Sequence, residues 1–190
     1  MLLTTDTDYL HITKALGHIA VAQVPFQVLM SPAFYLSTTK RSSPSVISLL
    51  TTIPQPSLSP YHRLAGRLIL VPLILSHAML YDSFFLQNPH SEYGLLLLKR
   101  IRDSDVQWGI AGVFFVTILV VILRRPGSTT WWKSNEFTRQ VFYVAHVSLF
   151  MAFCVAVFEH VGQARKYVVE AVVGLVLNAV CCCVYAFLLK

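Results

Sequence analysis

Apolar residues along this chain come in runs of about 20, separated by short polar stretches, rather than in the alternation of half-buried strands. About 20 apolar residues in a helix cross the roughly 30 Å hydrocarbon layer of a bilayer. Five spans are expected on that rule: residues 15–36, softened by Gln23, Pro25, Gln27 and Pro32; 61–86; 106–123; 140–160; and 167–189. The apolar piece 46–53 is too short to span and reads as a loop or re-entrant turn within the Pro- and Ser-rich stretch 37–60. Residues 87–105 and 124–139 read as polar loops, the second carrying Trp131 and Trp132, a pair typical of the headgroup layer. No repeat or low-complexity tract interrupts the pattern. The predicted fold is an all-α integral membrane protein, a bundle of about five transmembrane helices.

Composition supports that class. Of 190 residues 55% are hydrophobic and only 13% charged, about half the charge a soluble domain carries. The net charge of +6 is scattered between apolar runs, not gathered into the patch or stripe of a nucleic-acid binder. Residues 1–14 form a polar tail with Asp6 and Asp8; they lack the basic start and cleavage site of a secretory signal, so the first apolar run is expected to remain as a span. Cys154 is isolated and Cys181, Cys182 and Cys183 are consecutive. Adjacent helical positions diverge, so they form no Cys-x-x-Cys site; they read as small apolar residues, with palmitoylation as the alternative near a membrane face. Lys40, Arg41, Arg63, Arg67, Arg124, Arg125, Lys133, Arg139 and Lys190 fall on one side of the predicted topology. Lys14, Lys99, Arg100, Arg102, Arg165 and Lys166 fall on the other. The bias puts the C-terminus in the cytosol.

The chemistry lies in the histidines. His11, His18 and His90 sit at or beyond predicted membrane borders, whereas His62 and His77 share the second span and His146 and His160 the fourth. Ionisable rings inside hydrocarbon are functional candidates. His146 and His160 are 14 residues apart, about 21 Å of rise and some 40° short of four full turns, so both leave one helix face at different depths. His62 and His77 are 15 apart, about 22 Å of rise and some 60° past four turns. Pro72 lies between them and can distort the ladder enough to absorb the difference. A lone intramembrane histidine is most simply a hydrogen-bonded interior residue. Four of them, two per span at matching depths, instead suit axial ligation of two b-type haems. His62 pairs with His146 at the inner level and His77 with His160 at the outer. Phe142, Tyr143, Phe150, Phe153 and Phe158 supply an apolar, aromatic setting. Arg63 and Arg67, beside the inner ligand, read equally as partners of haem propionates or as markers of the cytosolic border. Glu170 reads as a hydrated residue near the outer face, with a proton- or metal-relay role as the alternative, and Trp108 as an outer interface anchor.

The stretch Tyr61-His62-Arg63-Leu64-Ala65-Gly66-Arg67, continuing to His77-Ala78-Met79-Leu80-Tyr81, resembles the His-Arg-x-x-Gly-Arg…His helix of the ferric reductase and NADPH oxidase membrane domain. Ala20-Val21-Ala22-Gln23-Val24-Pro25 with Lys40-Arg41 and Ser48-Leu49-Leu50-Thr51 is similar to the segment before that helix. Trp108-Gly109-Ile110-Ala111-Gly112 through Arg124-Arg125 is similar to the next helix, and Phe137 to His146 and on to His160 to the second haem helix. The resemblance covers roughly residues 15 to 180. It implies one ferric-reductase-like transmembrane haem domain over 15–190, holding two haem b on His62, His77, His146 and His160 and serving electron transport or ion transport. The chain departs from the family in its 15-residue spacing from His62 to His77, where 14 is usual, and in having five expected spans for the usual six. It also lacks the family's Asp and basic residues near the end of the last helix, where Asn178-Ala179-Val180-Cys181-Cys182-Cys183 stands.

No Gly-rich dinucleotide fingerprint is present, and the chain is expected to stand alone without the family's flavin and nicotinamide domain. A haem carries one electron and does not take hydride. FAD and NADPH are therefore expected only through a separate flavoprotein partner, or a quinol as donor, with ferric chelate as the default external acceptor. The expected role is an oxidoreductase component. The alternatives are an accessory or remnant membrane protein and, less favoured, a haem-free enzyme such as a terpene cyclase, which needs acids inside the bundle where Glu170 alone qualifies. Ascorbate-driven di-haem cytochromes place their four histidines one per helix, unlike the two-per-helix pattern here.

Overall fold

The computed structural model describes residues 6–32, 44–86, 92–121 and 136–188. Among them every regular element is helical: α1 (Asp6–Ala22), α2 (Val24–Leu29), α3 (Val46–Thr51), α4 (Gln55–Ala65), a π-helical turn (Gly66–Leu70), α5 (Val71–Leu86), α6 (Glu92–Arg100), α7 (Ser104–Val121), α8 (Glu136–His160), a 3-10 turn (Gly162–Ala164) and α9 (Arg165–Leu188). Helices satisfy their own backbone polar groups, which hydrocarbon demands of any lipid-exposed span. The second, fourth and fifth expected spans correspond to the continuous helical runs Gln55–Leu86, Val141–His160 and Gly162–Leu188, each long and apolar enough to cross a membrane. The third, in α7, becomes a further span if Gly94–Arg100 and Ser104–Val120, bent by 83° at their junction, are taken together.

The first expected span is divided. α1 starts at Asp6, so helix runs through the polar tail, and stops at Ala22; α2 restarts at Val24 with Pro25 in its first turn. Proline has no N–H to continue the ladder and suits the first helical turn, so the break falls where Pro25 dictates. The apolar piece 46–53, expected as a loop or re-entrant turn, contains the short α3. Ser45 Oγ caps it by accepting from the Ser48 N–H at 3.2 Å, and Thr52 ends it in the left-handed region at φ 59°.

The chain forms two compact units, residues 1–80 with 163–190, and residues 81–162. In the first, α9 buries Val168, Ala171, Gly174, Asn178 and Cys182, mostly small residues at helical spacing that let another backbone come close. A β-carbon on Gly174 would meet Leu29 at 3.3 Å, so α2 and α9 approach through this notch. Asn178, fully buried, ties three segments together: its Oδ1 accepts from the Val46 N–H at 2.7 Å and its Nδ2 donates to the Val28 carbonyl at 2.6 Å. Gln55 repeats the device, accepting from the Ser45 N–H and donating to the Met30 carbonyl, both at 2.9 Å. Cys182 lies against the Pro44 carbonyl at 3.6 Å, while Cys183 is exposed.

In the second unit α7 packs on α8. Gly112 faces Ala156 and Phe153, and Val106, Val116, Phe153, Cys154, Ala156 and Val157 form the buried seam. The bend between α6 and α7 is held by Arg100, which bonds Asp103 at 2.5 Å, Asp105 at 3.3 Å and the Tyr81 hydroxyl at 3.4 Å.

Replacing Asn178 by Leu strips the Val46 N–H of its acceptor in a dry setting and removes one of two donors from the Val28 carbonyl, which keeps the Ser31 N–H at 3.1 Å. The expected loss is about 1–3 kcal/mol, read as a lowered melting midpoint of the purified protein in detergent. An unchanged midpoint contradicts this account of the α2–α9 junction.

Candidate functional site

The helical run Gln55–Leu86 carries His62 on α4 and His77 on α5. Both rings are half-buried, and each turns its Nδ1 to a backbone carbonyl of a neighbouring helix. His62 Nδ1 lies 3.0 Å from the Gln27 carbonyl on α2, and His77 Nδ1 lies 2.7 Å from the Thr13 carbonyl on α1. In the other unit His160, the last residue of α8, does the same at 2.6 Å from the Asp105 carbonyl on α7. A carbonyl can only accept, so Nδ1 carries the proton in all three. That tautomer leaves the lone pair on Nε2, the atom then able to bind a metal. His146 stands on the same helix as His160, its ring stacked on Phe142 one turn earlier at 5.7 Å between centroids and 26° between planes.

Two of the three carbonyls come with a glycine one turn further along the same helix. Thr13 is followed by Gly17 and Asp105 by Gly109. A β-carbon at Gly17 would sit 3.1 Å from His77 Nδ1, and one at Gly109 would sit 2.8 Å from His160 Cε1. The imidazole thus lies flat on bare backbone, which is what allows its Nδ1 to reach a carbonyl inside a closed helical ladder.

The remaining expected residues fall as follows. Arg63 is exposed, its Nε donating to the Ser59 carbonyl on its own helix at 3.3 Å. Arg67 is exposed within the π-turn. Glu170 is exposed near the start of α9, and Trp108 is partly exposed beside Gly109. His11 and His18 lie on α1, while His90, Lys40, Arg41, Arg124, Arg125, Trp131, Trp132 and Lys133 lie outside the described residues. Among the described residues no three His, Cys, Asp or Glu side chains gather as a ligand set for a bare metal ion. Four histidines used singly suit iron already held by a porphyrin, which asks only two axial ligands from protein.

Several residues of the site went unrecognised in the sequence: Thr13 and Asp105, which act through backbone carbonyls, the two seating glycines, and Gln27. Only Gln27 carried a signal, as a polar residue in an apolar run.

Residues 16–157 match the family model described as the ferric reductase like transmembrane component. No curated protein and no solved structure matches the chain.

Because a methyl group at position 109 would displace the His160 ring, Gly109→Ala is expected to lower stability by about 1–3 kcal/mol, the range for overpacking. Gly94→Ala, with nothing within 4 Å, is expected to be neutral or slightly stabilising. Equal melting midpoints for the two variants contradict the seating role of Gly109.

Proposed function

The chain belongs to the family of ferric reductase-like transmembrane components, a membrane component of electron transfer, and on that premise we propose that it relays electrons through two bis-histidine b-type haems. His62 and His146 serve the inner haem, His77 and His160 the outer. The observation that carries this reading is the common orientation of His62, His77 and His160, whose Nδ1 atoms each meet a backbone carbonyl. Such a bond sets the tautomer, fixes the ring plane and raises the basicity of the opposite nitrogen. A histidine kept only for packing has no need of the same nitrogen meeting the same kind of acceptor three times.

Bound haem supplies reversible one-electron chemistry at iron. The chain's own residues then have separable tasks. The histidines hold iron, the carbonyls of Gln27, Thr13 and Asp105 hold the histidines, and Gly17 and Gly109 grant the rings room. Phe142 and Phe153 keep the surroundings apolar. Arg63 and Arg67, exposed on the inner-ligand helix, are suited to propionates. The donor is a separate flavoprotein or quinol docked on the cytosolic side, where the C-terminus lies, and the acceptor outside is a ferric chelate.

The test is pyridine haemochrome quantitation with reduced-minus-oxidised spectra on wild type and on His62→Ala, His77→Ala, His146→Ala and His160→Ala. Two haems per chain are expected in wild type and one or fewer in each variant. Unchanged haem content in the variants overturns the ligand assignment, and a colourless wild type under ample haem supply favours an accessory role.

A further inference from the structure

The two histidine pairs do not have the same spacing: 14 residues separate His146 from His160 and 15 separate His62 from His77. In a regular helix one additional residue turns the second ring by about 100° relative to the arrangement on α8. Between His62 and His77 the helix is not regular. Gly66–Leu70 form a π-turn, closed by the Val71 N–H donating to the Gly66 carbonyl, five residues back. A π-turn of this kind accommodates one inserted residue without altering the helix on either side. Taking that residue out of the count leaves 14, the spacing of α8.

The local chemistry accounts for the position of the turn. Pro72 has no N–H and its ring crowds the carbonyl four residues back, so the ladder loosens just upstream. Gly66, at the other end, has nothing within 4 Å of a β-carbon. Gln27, buried on α2, faces the junction: with its amide oriented to satisfy both ends, its nitrogen donates to the His62 carbonyl at 3.1 Å and its oxygen accepts from the Gly66 N–H at 3.3 Å. The same nitrogen is 3.2 Å from His62 Nδ1, but the closer Gln27 carbonyl, at 3.0 Å, sets that proton. Gln27 therefore braces the entry to the π-turn through its side chain and orients His62 through its backbone.

We propose that the π-turn Gly66–Leu70, braced by Gln27, is a positioning device that absorbs a one-residue surplus so that His62 and His77 leave the same helix face. The inference rests on the ligand reading above and goes beyond it, since it assigns the irregular turn and Gln27 a task of their own. Deleting Leu68 should convert the π-turn to α-helix and leave both flanks in place, so the variant keeps two haems per chain and the wild-type low-spin spectrum. Deleting Leu149 removes a residue from the regular stretch between His146 and His160, where nothing absorbs the change, and haem should fall to one per chain or fewer. Gln27→Ala alone should lose haem. Combined with deletion of Leu68 it should regain two, because a closed α-ladder needs no brace.

Loss of haem on deleting Leu68 as large as on deleting Leu149, or a double variant no better than Gln27→Ala, overturns the proposal while wild-type haem content leaves the ligand reading standing. Deletion of Ile69 is the second variant: if neither deletion within the turn gives folded, haem-loaded protein, the proposal is overturned. Full haem content after deletion of Leu149, or none in wild type, overturns the ligand reading and this inference with it.

Discussion

An imidazole inside hydrocarbon brings one N–H and one lone pair, and neither can be left to water. Helical backbone around it is a poor source of partners, because each carbonyl in a helix already accepts from the N–H four residues on. The rest of the arrangement follows from how this chain meets that constraint. His62, His77 and His160 borrow a second bond from carbonyls on adjacent helices. At two of these places the residue one turn beyond the carbonyl is glycine, so the ring can lie against the ladder. Ring orientation is thereby set by main chain, which holds it more rigidly than a flexible side chain.

The same economy appears away from the histidines. Asn178 and Gln55 each satisfy one N–H and one carbonyl at chain breaks, where α2, α3 and α4 begin or end and helical self-sufficiency fails. Three of the polar side chains buried in the first unit thus answer an interruption of helix, whereas Thr13 bonds back to the Tyr9 carbonyl of its own helix. Gln27 does so at the π-turn, Gln55 and Asn178 at the 30–55 connection. In the second unit polar pairing is concentrated at the bend, where Arg100 meets Asp103 and Asp105.

Much of this was legible in the sequence for a physical reason. Long apolar runs leave few alternatives in a membrane, so the helices that fill the described parts of the second to fifth expected spans could be read directly, as could the two-per-span placement of the histidines. Pro25 and Pro72 announced irregularity but not its form. A proline yields a kink, a break or a π-turn according to what packs beside it, and the first became a division between two helices while the second stands just after a π-turn. The acceptors of the histidine rings were illegible, since every residue has a carbonyl and only tertiary packing selects Thr13, Gln27 or Asp105. Asn178 was legible only as part of a departure from the family pattern, and its partners lie 132 and 150 residues away in sequence.

The proposed function depends on His62, His77, His146 and His160 serving as the axial ligands of two haems. Electron paramagnetic resonance of the oxidised, haem-loaded protein, with near-infrared magnetic circular dichroism, reports iron spin state and the identity of both axial ligands. The account predicts two low-spin ferric centres, each with bis-imidazole ligation. A high-spin centre, or a low-spin centre with a thiolate or thioether in place of one imidazole, would contradict it.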